Sequence, residues 1–433
     1  MQDLYDRYIR YRSHRVEVPL DHSDANSTPI TIFAREVVDT RHHEADLPWL
    51  VYFQGGPGME SPRPNGATGW LKRALDDYRV LLLDQRGTGL SAPVNHQTLA
   101  YLTPAEQAAY LSHFRADSIV KDAECLREAL GIKQWAILGQ SFGGFCALTY
   151  LSFFPQSLSR AFVTGGIPPL EGHADAVYQK TYQRVEDKNQ QFFAQFPDAQ
   201  ARCHEIAQYL QNNTVTLPNG QPFTVEQFQT LGLNLGRGHA GLPLYYLLER
   251  AFIEVNGERT LSYPFLNAMQ ADQGYLTNPF YAILHESIYC QQQASQWSAH
   301  RVRDQFPQFH YQPDQPFRFT GEMVYPWMFD QLATLKPLKD AAMLLAEKSD
   351  WPALYDLDAL KCNTVPLACA TYVDDMFVEF DYSRQTLAQI ANSQAWMTNE
   401  YEHNGIGVDG ERILSRLIEI GDHIAATQAS GRG

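Results

Sequence analysis

Trp135-Ala136-Ile137-Leu138-Gly139-Gln140-Ser141-Phe142-Gly143-Gly144-Phe145-Cys146-Ala147-Leu148-Thr149-Tyr150-Leu151 reads as a short buried strand, a G-x-S-x-G turn and a buried helix. A strand, sharp turn and helix in this order form the setting in which a serine becomes a nucleophile. The turn is strained, and small residues on either side let neighbouring backbone pass close. The hydroxyl of Ser141 is then expected to stand clear above the carboxyl ends of the strands. Five residues of this form also arise by chance, so the meaning of the motif depends on what accompanies it.

The first third of the chain alternates strand and helix. Arg15 to Pro19 and Ile30 to Val38 read as early strands, the second rich in β-branched residues. Trp49 to Phe53 follows and ends at Gln54-Gly55-Gly56-Pro57-Gly58; Val80 to Leu83 ends at Asp84-Gln85-Arg86-Gly87-Thr88-Gly89. Helical spacing runs over Ser118 to Leu130, and Ala161 to Thr164 ends at Gly165-Gly166-Ile167-Pro168-Pro169. Short apolar strands punctuated by glycine-rich loops, with helices between, predict an α/β fold with a mainly parallel sheet.

From about Leu170 to about Trp351 the texture changes. Polar, Gln-rich and aromatic helical stretches replace the strands, among them Tyr178 to Phe196 and Glu226 to Leu231. The strand pattern resumes at Val365 to Tyr372. A helix over Ser383 to Ala391, a strand near Gln394 to Met397 and an amphipathic helix over Asp409 to Ile424 complete it. The expected organisation is one α/β domain made of residues 1–169 and 352–433, with a helical cap of residues 170–351 inserted. Ala429 to Gly433 reads as a frayed tail, and no internal repeat is visible.

Composition narrows the function. The 433 residues are 44% hydrophobic and 19% charged, as in an ordinary folded protein. A net charge of -15 argues against a nucleic-acid partner, which needs a basic footprint, and mildly against anionic membranes. Its plain reading is solubility. No run approaches the roughly 18 apolar residues of a membrane span, and the opening Met1 to Tyr8 is unlike a signal peptide. Six cysteines without framework spacing read as reduced thiols of a cytoplasmic protein. His285-Glu286 and His204-Glu205 each begin an H-E-x-x-H motif, but Tyr289 and Gln208 occupy the second ligand position. His42-His43 reads as a solvated loop pair. No metal and no organic cofactor is expected.

A nucleophilic serine needs a base, an acid that orients the base, and donors for an oxyanion. After the strand at 365–372 comes Val373-Asp374-Asp375-Met376, an acid at a strand's carboxyl end. After the next strand comes Asn399-Glu400-Tyr401-Glu402-His403-Asn404-Gly405, a histidine just before the last helix. Ligands bind at that edge of such sheets. The expectation is His403 as general base and Asp375 as its orienter, with Asp374 the rival. One of the two aspartates serves instead to cap a turn. Gly55 and Gly56, at the end of an earlier strand, are expected to let backbone N–H groups approach the oxyanion, with the N–H of Phe142 as second donor.

Together, Gln54-Gly55-Gly56-Pro57-Gly58, Asp84-Gln85-Arg86-Gly87-Thr88-Gly89-Leu90-Ser91 and Gly139-Gln140-Ser141-Phe142-Gly143-Gly144 resemble the proline iminopeptidases (prolyl aminopeptidases) of the α/β-hydrolase superfamily. The D-Q-R-G-x-G-x-S element is the most discriminating of the three. The likeness covers both halves of the hydrolase core, and the cap looks like that of the longer-chain members. Smaller members usually begin the oxyanion loop with His, where this chain has Gln54. Because the donors are backbone groups, catalysis is expected to survive that change.

The resemblance implies removal of N-terminal proline from a small peptide through an acyl-enzyme. Such a site holds an amine of pKa about 7.7 beside a compact ring, so carboxylates from the cap and aromatic walls are expected. Glu286 lies in the mainly apolar Phe280 to Tyr289, and Glu322 among the aromatics of Phe319 to Trp327; both resemble family segments that supply amine-binding acids. A buried carboxylate without a cation is costly, which a bound ammonium resolves; the alternative is a structural salt bridge. Tyr325, with Tyr281, Trp327 and Phe329, is a candidate wall for the ring. Asp84 and Arg86 are expected to form a buried network bracing the oxyanion loop, and Cys146 to be a packed thiol. The rivals are an esterase or amidase on the same scaffold, which gains nothing from buried glutamates, and a non-catalytic binding protein, which predicts a missing triad member.

Overall fold

The computed structural model describes residues 3–42, 46–238, 241–272, 275 and 277–430; His43, Met1-Gln2 and the last three residues of the tail lie outside them. Its strands, in chain order, are β1 (Leu4–Asp6), β2 (Ile9–Pro19), β3 (Pro29–Asp39), β4 (Trp49–Phe53), β5 (Arg79–Leu83), β6 (Trp135–Gln140), β7 (Leu158–Thr164), β8 (Phe252–Val255), β9 (Glu258–Leu261), β10 (Leu367–Tyr372) and β11 (Ser393–Thr398). Nine of these form one sheet in the order β1-β2-β3-β5-β4-β6-β7-β10-β11. β5 through β11 in that order run parallel. The first three strands are added antiparallel at one edge.

The parallel strands are continuous apolar runs because both of their faces are covered. Val51, Phe53, Leu81, Leu83 and Ile137 pack with Ile119, Val120 and Phe145 from the helices Ala116–Ala129 and Phe142–Phe153. Leu50, Tyr52, Val80, Leu82, Ala136 and Leu138 point the other way. They pack on Leu71 and Leu75 of the helix Gly69–Asp77 and on Ile413, Leu414 and Leu417 of the helix Gly410–Ser430. The period-two alternation of strand side chains thus feeds two separate cores.

Between β7 and β10 the chain is mainly helical, with its own aromatic core that includes Tyr178, Phe192, Phe228, Phe265, Phe319 and Tyr325. Two expectations need correction here. The stretch Glu226 to Leu231 is not one helix: a short α-turn, Val225–Gln229, passes into a tighter 3₁₀ run, Thr230–Gly236. The segment also contains a strand pair, β8 and β9, where only helices were expected. Asn256-Gly257 joins them with both residues at positive φ (53° and 83°), the two-residue hairpin turn that an Asn-Gly dipeptide favours. No helix among the described residues is long and apolar enough to cross a membrane.

The helical segment is fastened to the sheet side by buried charge. Arg115, fully buried at the start of the helix Ala116–Ala129, donates to the carbonyls of Ser287 (3.1 Å) and Pro352 (2.9 Å), and its guanidinium lies 4.4 Å from the Trp351 ring.

Candidate active site

Ser141 sits between β6 and the helix Phe142–Phe153 with φ 54° and ψ -124°, a strained conformation for a non-glycine residue. The flanking glycines are there for clearance. A Cβ on Gly139 would collide with the carbonyl of Gly143, and one on Gly143 with the carbonyl of Phe53 in β4. The turn therefore closes only if both positions lack side chains, and the serine side chain is left standing at the sheet's carboxyl edge.

His403 Nε2 lies 2.9 Å from Ser141 Oγ, and His403 Nδ1 lies 2.8 Å from Asp375 Oδ2. With a carboxylate on Nδ1, that nitrogen carries the proton and Nε2 is free to accept from the serine hydroxyl. Asp375 is 1% exposed, and its other oxygen accepts from the N–H groups of Phe377 (2.8 Å) and Val378 (3.0 Å), so the side chain is fixed in place from both sides. Asp374 is exposed and does not join this chain. The Phe377 ring stands edge-on to the imidazole at 4.8 Å. Burial pulls the His403 pKa down, but the charge and hydrogen bond of Asp375 outweigh it. Glu322 adds to the rise and Arg237 subtracts from it, leaving the imidazole more basic than an ordinary histidine.

The loop after β4 lies against the nucleophile. A Cβ on Gly55 would come within 3.0 Å of Ser141 Cβ and 2.5 Å of Gln140 Oε1. Gly56 follows at φ 125°, and the N–H of Phe142 opens the helix after the serine. The support of this loop differs from expectation, because Asp84 and Arg86 do not pair. Asp84 accepts from Arg63 Nη1 (2.9 Å) and from the N–H of Leu90 (2.9 Å). Arg86 reaches to the helix Ala116–Ala129, where its Nε donates to Asp122 (2.7 Å). The residue that braces the loop is Gln85, whose Nε2 donates to the carbonyl of Gln54 (2.9 Å). The hydroxyl of Tyr52 holds the Gln54 side chain at 2.8 Å.

Glu286 is 6% exposed, and backbone amides rather than a cation meet its oxygens: the N–H of Ser298 and of Ala299 donate at 2.9 Å each. Burial pushes its pKa up despite these bonds. Glu322 is half-buried, accepts from the hydroxyl of Tyr281, and acts on His403 as described above. Burial above all, with the charges of Glu286 and Glu322 adding to it, raises the pKa of Tyr178, whose buried hydroxyl has no hydrogen-bond partner among the described residues. Sequence reasoning did not single out Tyr178, one tyrosine of 23 on an aromatic helix. Tyr325 directs its hydroxyl to Tyr182 (2.8 Å), stacks on Trp327 at 6.0 Å and lies under the Arg303 guanidinium at 5.2 Å, all within the helical segment. Cys146 is fully buried, and burial lifts its thiol well above the ordinary range.

A serine on a strand-to-helix elbow, backed by a histidine and a strand-end carboxylate, defines the α/β-hydrolase class. Residues 48–266 match the sequence family described as alpha/beta hydrolase fold. Over 414 residues the chain is 56% identical to the proline iminopeptidase of Aeromonas sobria, covering 95% of this chain and 96% of that one. It is 35% identical over 421 residues to a proline iminopeptidase of Aspergillus aculeatus, covering 94% and 92%. The proline iminopeptidase of Arabidopsis thaliana is 32% identical over 149 residues, covering 32% of this chain and 34% of its own. The chain belongs to the proline iminopeptidase family of α/β hydrolases.

Proposed function

We propose that this protein is a prolyl aminopeptidase, a serine hydrolase that releases N-terminal proline from small peptides. The observation that carries the reading is the unbroken hydrogen-bonded chain from Ser141 through His403 to Asp375 in a protein that matches two proline iminopeptidases over more than nine-tenths of its length. Ser141 Oγ attacks the carbonyl of the N-terminal proline while His403 Nε2 takes its proton. The oxyanion accepts from backbone amides of the Gly55-Gly56 loop and of Phe142. His403 then gives the proton to the departing peptide amine, and water, activated by the same imidazole, releases proline from the acyl-enzyme. Asp375 holds the imidazole in the required tautomer.

The amine of the substrate binds Glu322 and Glu286. Each carboxylate oxygen offers two lone-pair sites, and the backbone bonds to Glu286 leave room for an ammonium donor. Tyr325 belongs to the aromatic wall behind the ring. Residues 170–351 act as the cap and 1–169 with 352–433 as the catalytic core. Six unpaired cysteines favour a cytoplasmic enzyme.

The deciding experiment compares hydrolysis of proline, alanine and leucine aryl amides with that of a simple aryl ester, using the protein and its Ser141→Ala variant. Strong preference for the proline amide, abolished in the variant, is the expected result. Turnover of the ester with no preference for the proline amide would keep the serine mechanism and reject the peptidase.

A further inference from the structure

We propose that Arg237 binds the free C-terminal carboxylate of the substrate, making the enzyme selective for very short peptides, dipeptides above all. The inference rests on the aminopeptidase reading and names the class of peptide that reading leaves open.

The placement of Arg237 is set by its neighbours on both sides. Gly236 packs so closely on the loop after Asp375 that a Cβ there would come within 2.5 Å of Phe377 Cζ and 2.6 Å of Met376 Cγ. The N–H of Gly238 donates to Glu402 Oε2 at 3.2 Å, and Glu402 immediately precedes His403. The backbone of Arg237 is therefore wedged between the two loops that carry the acid and the base. Its own charge is felt at the imidazole, where it opposes the pull of Asp375 and Glu322.

The side chain lines a cavity of about 60 Å³ shared with Met59, just past the oxyanion loop, and with Tyr281, which donates to Glu322. This space thus brings a guanidinium together with the tyrosine that holds the proposed amine-binding acid and with the residue that follows the oxyanion loop. That is the polarity of a short zwitterionic peptide.

Arg237 is exposed and, among the described residues, forms no ion pair, although the chain carries 49 acidic residues to 34 basic ones. Asp272 lines the same cavity but is held by Asn234, whose Nδ2 donates to Asp272 Oδ1 at 2.9 Å. The same Asn234 accepts from Arg237 Nη1 at 3.3 Å. One asparagine therefore orients both the guanidinium and Asp272, which senses the Arg237 charge without forming an ion pair with it among the described residues. The Nε and Nη2 edge of Arg237 makes no hydrogen bond to the described residues. A guanidinium edge of two parallel N–H donors fits a carboxylate better than any neutral group.

The test measures kcat/KM for Pro-Gly, for Pro-Gly with its carboxylate capped as the amide, and for a proline aryl amide. It uses the protein and its Arg237→Met and Arg237→Lys variants, at a pH above the acid limb so that any change in His403 titration drops out. The unchanged protein is expected to favour Pro-Gly over its amide by roughly tenfold, the size of one charge-assisted contact at a partly open site. Arg237→Met should bring that ratio close to one, and Arg237→Lys should restore part of it. A ratio near one in the unchanged protein, or equal losses for the acid and the amide in Arg237→Met, would overturn the proposal. Failure to cleave the proline aryl amide at all would instead sink the aminopeptidase reading, so the two are told apart.

Discussion

Replacing Glu322 by Gln separates substrate recognition from catalysis within one side chain. Glutamine is isosteric and still accepts from the hydroxyl of Tyr281, the bond seen at Glu322 Oε1, so the fold has no reason to change. Two charge effects disappear together. The substrate ammonium loses a charge-assisted partner, worth about 1.5–3 kcal/mol, which corresponds to a loss of about 10- to 150-fold in kcat/KM for a proline aryl amide. An ester without an amine has no such contact and should lose little. The second effect is on His403, whose pKa Glu322 pushes up. The base works only when neutral, so a raised pKa places the acid limb of kcat/KM above the ordinary histidine range of about 6.5. Removing a negative charge lowers that pKa and moves the limb to lower pH. The assay is kcat/KM against pH for both substrates in both proteins. An acid limb that stays in place, or moves up, would refute the placement of Glu322 beside the base. Equal losses for amide and ester would refute its role with the amine.

Asp375→Asn should cut kcat by about 10⁴, the effect of presenting the wrong tautomer to a serine. Asp374→Asn, on an exposed side chain, should stay within about 0.5 kcal/mol in stability and near unity in kcat; steady-state kinetics and thermal unfolding on the pair decide it. Lys188→Met removes the cation that holds Glu402 at 2.8 Å and should lower the rate of labelling of Ser141 by a serine-directed phosphonate. The exchange Lys188→Glu with Glu402→Lys should recover part of it, whereas recovery of stability without recovery of the labelling rate would reject a role in positioning His403.

The elbow was legible in the sequence because its chemistry is local. Gly139 and Gly143 are required by backbone contacts within a few residues and by one adjacent strand, so the motif and its strand-helix frame carry nearly all the information. Chain order and loop position pointed to His403 and to an acid after β10, and the structure brings Ser141, His403 and Asp375 within hydrogen-bond reach while Asp374 stays exposed; the roles proposed for them rest on that geometry. What failed was pairing at a distance. Arg86 is two residues from Asp84 but bonds Asp122, on a helix 36 residues further along. Nothing in a one-dimensional pattern distinguishes these partners, because the choice depends on which way each side chain leaves the turn after β5. The hairpin of β8 and β9 was missed for a different reason. Its Asn256-Gly257 turn was readable, but the flanking strands are four residues each and half polar, too short to stand out inside a helical stretch.

The long-range partners left unread by the sequence are also those that join the helical segment to the chemistry. On the helix Ala174–Gln195, Arg184 and Lys188 stand one turn apart. Arg184 Nη2 reaches Glu379 at 2.6 Å, at the end of the loop that begins with Asp375; Lys188 reaches Glu402, next to His403. One helix of the proposed cap therefore grips both loops on which the acid and the base ride. Lys188 and Glu379 are both buried while their partners Glu402 and Arg184 are partly exposed, so each pair is partly sheltered from screening and its loss should be measurable. A cap that only covered the substrate would have no need to touch those loops with charge. The arrangement makes the alignment of His403 and Asp375 depend on the seating of the same segment that carries Glu286 and Glu322. On the proposed roles, amine recognition and proton transfer are coupled through this helix, and a change that loosens its grip on the two loops should reduce kcat as well as raise KM.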